Sequence, residues 1–78
     1  MAAQREEHIE YYKDGSVKGR GLLVDGQMEG YWEWFRKDGS KMRSGHFAAD
    51  EQVGEWITYD RQSQVYKVTQ MSKTGKRR

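Results

Sequence analysis

Two histidines, His8 and His46, are the side chains of this 78-residue chain best suited to moving protons or ligating a metal near neutral pH. As a pair they could serve as acid and base, or as two imidazole ligands. Either role needs a third group at a matching spacing, such as a carboxylate that fixes the imidazole tautomer. No such pattern accompanies them. There is no cysteine, so disulfides, thiolate metal sites and thiol nucleophiles are excluded. Phosphate-cradling glycine loops and nucleophile elbows are absent as well. These residues predict a protein that is not an enzyme, with no metal and no cofactor.

The remaining chemistry is recognition. Trp32, Trp34 and Trp56, with Tyr12, could form an exposed aromatic strip for a partner, or could pack the chain's own elements together. Glu29, Glu33, Asp50, Glu51 and Glu55 could form an acidic patch for a basic partner, or a solvated face. Lys73, Lys76, Arg77 and Arg78 could attract nucleic acid or anionic lipid, which would make binding steeply salt-dependent. Those four cations exceed the formal net charge of +2, so the body of the chain is net acidic and the basicity sits in a short tail.

The elements that hold these residues are written as a repeat. Asp14-Gly15-Ser16 returns 24 residues later as Asp38-Gly39-Ser40. At the same offset Gly21 maps to Gly45, Gly30 to Gly54, Trp32 to Trp56 and Phe35 to Tyr59. Self-similarity at this period implies a stacked array of small units. Glycines recur too often for a long helix, while short β-rich segments with turn residues between them predict strands. The expected strands are His8–Lys13, Val17–Val24, Tyr31–Lys37, Lys41–Ala48, Glu55–Asp60 and Val65–Met71. Asp14-Gly15 is expected to form a two-residue type I′ turn. The segments Val24–Gly30 and Ala49–Gly54 read as longer connections. Short connections make sequence neighbours into spatial neighbours, giving an antiparallel all-β meander of about six strands in a single sheet.

Residues 1–7 read as a flexible start, 8–72 as the repeat domain and 73–78 as a flexible basic tail. Alternation sorts the columns by face. Leu23, Phe47 and Met71 form one apolar column. The Trp column and the column of Tyr11, Phe35 and Tyr59 are expected on opposite faces. Gly21 and Gly45 leave room for a neighbouring ring. Trp34 stands apart: its equivalents are Glu10 and Thr58, so the repeat does not ask for an aromatic there, and it is the leading candidate contact residue.

The stretches Gly30-Tyr31-Trp32-Glu33-Trp34-Phe35-Arg36-Lys37-Asp38-Gly39 and Gly54-Glu55-Trp56-Ile57-Thr58-Tyr59-Asp60 resemble the MORN repeat, and more closely its bacterial variant in the YwqK-type antitoxin family. The resemblance spans about residues 8–71. It departs at His8, which stands where Trp belongs, and at Gln62-Ser63, which replaces the turn Asp-Gly. It implies three consecutive MORN-like hairpins and a protein-interaction role, antitoxin- or immunity-like. The alternatives are a self-associating scaffold and a weak binder of nucleic acid or anionic lipid through the tail. Two free sheet edges and a small core predict a homodimer. No apolar run reaches membrane-spanning length and the first residues do not form a signal peptide, so a soluble cytoplasmic protein is expected.

Overall fold

A computed structural model of the chain describes residues 4–71. Six antiparallel strands form one sheet in sequence order: β1 (Arg5–Tyr11), β2 (Val17–Val24), β3 (Gln27–Phe35), β4 (Lys41–Ala48), β5 (Glu51–Tyr59) and β6 (Val65–Met71). The expected all-β meander of hairpins is what forms. The sheet is a single layer, 38 × 34 × 14 Å, and β1 and β6 are its open edges.

Three strand starts differ from the sequence reading, and the same three strands end one or two residues early, at Tyr11, Phe35 and Tyr59. Strand β1 begins at Arg5, so Arg5–Glu7 belong to the sheet and not to a flexible start. Strands β3 and β5 begin four residues earlier than expected, at Gln27 and Glu51. The segments read as longer connections are strands joined by two-residue turns, Asp25-Gly26 and Ala49-Asp50, all four residues having positive φ. These are the turns of type I′ character. The Asp14-Gly15 loop is a different one. Gly15 N donates to Tyr12 O and Tyr12 N to Ser16 O, and only Gly15 has positive φ, which makes a wider loop ending in a left-handed residue. Gly39 repeats this conformation, and Ser63 holds it with φ 62° without a glycine. Residues 1–3 and 72–78, the latter including the basic tail 73–78, lie outside the described residues.

Gly30 and Gly54, expected to end turns, instead sit in bulges. Pairing of β2 with β3 jumps from Gly21↔Trp32 to Leu22↔Glu29, and φ of Gly30 is 73°. Pairing of β4 with β5 jumps from Ser44↔Ile57 to His46↔Val53, and φ of Gly54 is 69°. A bulge leaves ladder carbonyls without amide partners. Indoles fill that role: Trp32 Nε1 donates to Leu22 O at 3.0 Å, and Trp56 Nε1 to His46 O and Val53 O, each at 3.2 Å. Leu22 and His46 are repeat equivalents, so the device is used twice.

The core lies on one face. Trp32 (3% exposed), Trp56 (2%) and Phe47 are buried, with Leu23, Met28, Trp34 and Met71 packed around them. Each buried indole lies flat across a glycine of the strand before it, Trp32 on Gly21 and Trp56 on Gly45, where a Cβ would overlap the ring. Removing two side chains from the sheet surface lets a one-layer fold bury its tryptophans without a second layer. A fully buried large apolar side chain contributes about 1.5–3 kcal/mol, so these rings supply most of what holds the hairpins together.

Two further ties link successive loops. Tyr12 Oη donates to Phe35 O at 2.8 Å. One unit on, Arg36 donates to Tyr59 O at 2.6 Å and Asp60 O at 3.0 Å. Positions 12 and 36 are equivalent, and each reaches the carbonyl of the next hairpin.

Candidate functional site

The cross-strand register defines two faces. On the indole face, one transverse row runs Glu10, Gly19, Trp34, Arg43, Thr58, Lys67. Trp34 stacks between Trp32 (centroids 6.2 Å) and Trp56 (5.6 Å), while Phe47 meets all three rings edge-on. Arg43 lies over the Trp56 ring at 4.7 Å, and His8 lies 6.0 Å from Trp32.

Trp34 therefore does not stand clear of the sheet as a free contact residue. It is half-buried and rests on Gly19. Gly19 replaces the Arg43 and Lys67 of the other units, just as Trp34 replaces Glu10 and Thr58. The two departures from the repeat are one matched pair, and both were visible in the columns. Trp32 and Trp56 are buried and Tyr12 is held by Phe35 O, so the four aromatics form no exposed strip.

The opposite face carries the row Ile9, Arg20, Glu33, Ser44, Ile57, Val68. Its centre is charged. Glu33 is 8% exposed, and its carboxylate accepts from Arg20 Nε at 2.6 Å and from Tyr31 Oη at 3.2 Å, with Lys41 Nζ at 3.1 Å. Burial pushes the Glu33 carboxyl up, but the hydrogen bonds from Arg20, Lys41 and Tyr31 outweigh it and hold it below the usual glutamate range. The hydrogen bond to Glu33 is also the first cause raising the Arg20 and Lys41 groups. Phe35 lies under the Arg20 guanidinium at 5.6 Å, and Tyr59 Oη is 3.2 Å from Ser44 Oγ, which puts this aromatic column opposite the Trp column as expected.

The acidic residues do not form one patch. Glu33 is neutralised inside the face. Glu29 accepts from Ala49 N at 2.9 Å and Asp50 from Met28 N at 2.6 Å, so both tie turns to strands. Glu51 and Glu55 are exposed, and Glu55 reaches Gln70 at 3.4 Å. The histidines are separated by the sheet: His8 lies on the indole face and His46 meets Tyr31 edge-on at 5.5 Å on the other. Among the described residues no group of three His, Cys, Asp or Glu is placed to hold a metal, and no helix is long and apolar enough to cross a membrane.

What the sequence reading missed is the surface around Arg20. Two shallow grooves flank this side chain. One, of about 320 Å³, is lined by Glu7, Arg20, Gly21, Leu22, Tyr31 and Glu33. The other, of about 260 Å³, is lined by Val17, Arg20, Phe35 and Gly39. Arg20 thus forms a ridge between them, fixed from below by Glu33 and Phe35. The available signal was the opposite charge of Arg20 and Glu33 in adjacent strands.

Compared with protein-family models, curated proteins and solved structures, the chain has no significant match.

Proposed function

We propose that this protein is a non-catalytic interaction module that binds a partner protein through the face bearing Arg20, Tyr31, Phe35 and Ile57. The observation that carries this reading is the preorganised Arg20 ridge. Its side chain is half exposed, yet its position is set by an ion pair and by an aromatic ring before any partner arrives. Arginine and tyrosine held in place are the residue types that dominate binding energy at protein interfaces, because little side-chain entropy is lost on docking. Tyr31, 45% exposed, lines the groove beside the ridge.

The resemblance to the YwqK-type antitoxin family supports a narrower version, in which the partner is a toxin and the module blocks it. The test is purification of the tagged chain from its native cell. Wild type is expected to retain a stoichiometric partner, and Arg20→Ala with Tyr31→Ala to lose it, while Glu51→Ala keeps it. Equal retention by all three would refute the assignment of this face.

A further inference from the structure

Five of the six large hydrophobic side chains exposed on the described sheet sit on its two edge strands: Ile9 and Tyr11 on β1, and Val65, Tyr66 and Val68 on β6. We infer that β6 of one copy pairs antiparallel with β1 of a second copy, in the register that continues the 24-residue repeat, so that the chain associates head to tail. This inference does not depend on the binding face proposed above.

The register comes from the β2·β3 junction inside the chain, which pairs Gly19 with Trp34, Arg20 with Glu33 and Gly21 with Trp32. Shifting β2 forward by two units gives Lys67, Val68 and Thr69 of β6. Shifting β3 back by one unit gives Glu10, Ile9 and His8 of β1. The new rungs are therefore Lys67 with Glu10, Val68 with Ile9 and Thr69 with His8, and the next rung brings Tyr66 to Tyr11. Three of the four are favourable cross-strand pairs: opposite charges, two β-branched aliphatics, and two aromatics.

The third rung is the most specific. Inside the chain this position is always a tryptophan on a glycine, Trp32 on Gly21 and Trp56 on Gly45. At the chain's ends both members change. The glycine becomes Thr69 and the tryptophan becomes His8, so a larger floor meets a smaller ring. Thr69 would clash with a tryptophan laid across it.

Charge also selects the pairing. β1 carries Glu6, Glu7 and Glu10 against a single Arg5, and Lys67 is the one charge of β6, so pairing β6 with β1 sets a cation against a net-acidic strand. Glu10 remains available, because its contact to His8 at 3.3 Å leaves its side chain 54% exposed. Such an interface is heterologous, so association runs to open arrays unless the rotation closes a ring.

The experiment uses two edge variants, Val68→Lys and Ile9→Lys, in the full chain, each checked for a native circular dichroism spectrum. Both positions are exposed, and each variant spoils one edge and leaves the other intact. Sedimentation is measured from low to high concentration. Wild type is expected to grow in mass with concentration. Each variant alone is expected to stay monomeric, its association weakened by at least about tenfold. An equimolar mixture is expected to form a 1:1 dimer that grows no further. Lys67→Glu alone weakens association, and raised salt weakens that of wild type. A monomeric wild type, or either variant still dimerising alone, overturns the inference. So does a mixture that remains monomeric.

Discussion

Adding one methyl group at Gly45 should cost this protein a large part of its stability, whereas side chains are tolerated at the equivalent Thr69. A Cβ at Gly45 would overlap Cδ2, Cε2 and Cε3 of Trp56. That ring cannot retreat, because it is 2% exposed and its Nε1 is held by two carbonyls. Overpacking of this kind costs about 1–3 kcal/mol, and the offsetting gain from a stiffer unfolded chain is about 0.4–1 kcal/mol. Gly45→Ala is therefore expected to destabilise by about 1–2 kcal/mol net, against a small-domain core worth only about 3–5 kcal/mol. Gly19→Ala should cost less. Its Cβ would sit 2.5 Å from Trp34 Cδ1, but Trp34 is half-buried and can tilt outward. Thr69→Gly should also destabilise, by about 0.5–1 kcal/mol, because glycine only loosens the strand. The assay is urea unfolding followed by far-ultraviolet circular dichroism, since fluorescence changes when tryptophans are replaced. The decisive measurement is the double-mutant cycle at Gly19 and Trp34. With Trp34→Ala in the background, Gly19→Ala should turn from destabilising to neutral or stabilising. If its cost is the same with and without the ring, the stacking of indoles on glycines does not control stability and the reasoning fails.

Arg36→Lys should destabilise by about 1–2 kcal/mol, since a single ammonium cannot reproduce the fork that reaches Tyr59 O and Asp60 O; thermal unfolding would read this out. Acid should weaken the fold through Glu33. Its folded carboxyl lies below the usual range, so its contribution is fully present above the unfolded glutamate pKa and is lost as pH falls through the lowered folded value. Asp14 and Asp38 are lowered as well, by hydrogen bonds from Ser16 and Ser40, and act in the same direction. Glu33→Gln should therefore flatten, without abolishing, the acid limb of a stability–pH curve. At neutral pH it should cost about 1–3 kcal/mol, moderated by solvent because Arg20 is half exposed. Ala49→Asn should stabilise by about 0.5–1 kcal/mol, because Ala49 holds a left-handed turn conformation at φ 51° that asparagine tolerates better. A shift in the urea midpoint would show it.

The hairpin order, the opposed Trp and Tyr/Phe columns and the glycines beneath the rings were all legible from the 24-residue spacing. Column position encodes face and rung, and those survive translation along the chain. The bulges were not legible. A glycine that ends a turn and a glycine that carries a bulge both need positive φ, so Gly30 and Gly54 carry the same signature in either role. Once they are placed in bulges, β3 and β5 lengthen at their starts and the supposed connections shrink to two residues. The acidic patch failed for a related reason. Glu33 belongs to an interior row, and its partners Arg20 and Lys41 come from the strands on either side, so the cancellation of its charge becomes visible only with the register.

The repeated fit of an indole onto the preceding glycine also makes the chain a ruler. The junction before residues 25–48 and the junction after them are the same joint, Trp32 on Gly21 and Trp56 on Gly45. A duplicate of those 24 residues spliced in after Ala48 would offer its tryptophan to Gly45 and its own glycine to the following Trp56. Each such insertion adds two strands at about 4.8 Å apiece, lengthening the sheet in steps of about 9.6 Å while both end strands stay as they are. Length in this architecture is thus set by how many times one short segment is copied, with one change: the copied Trp34 would face Arg43 in place of Gly19 and would need the threonine found at Thr58.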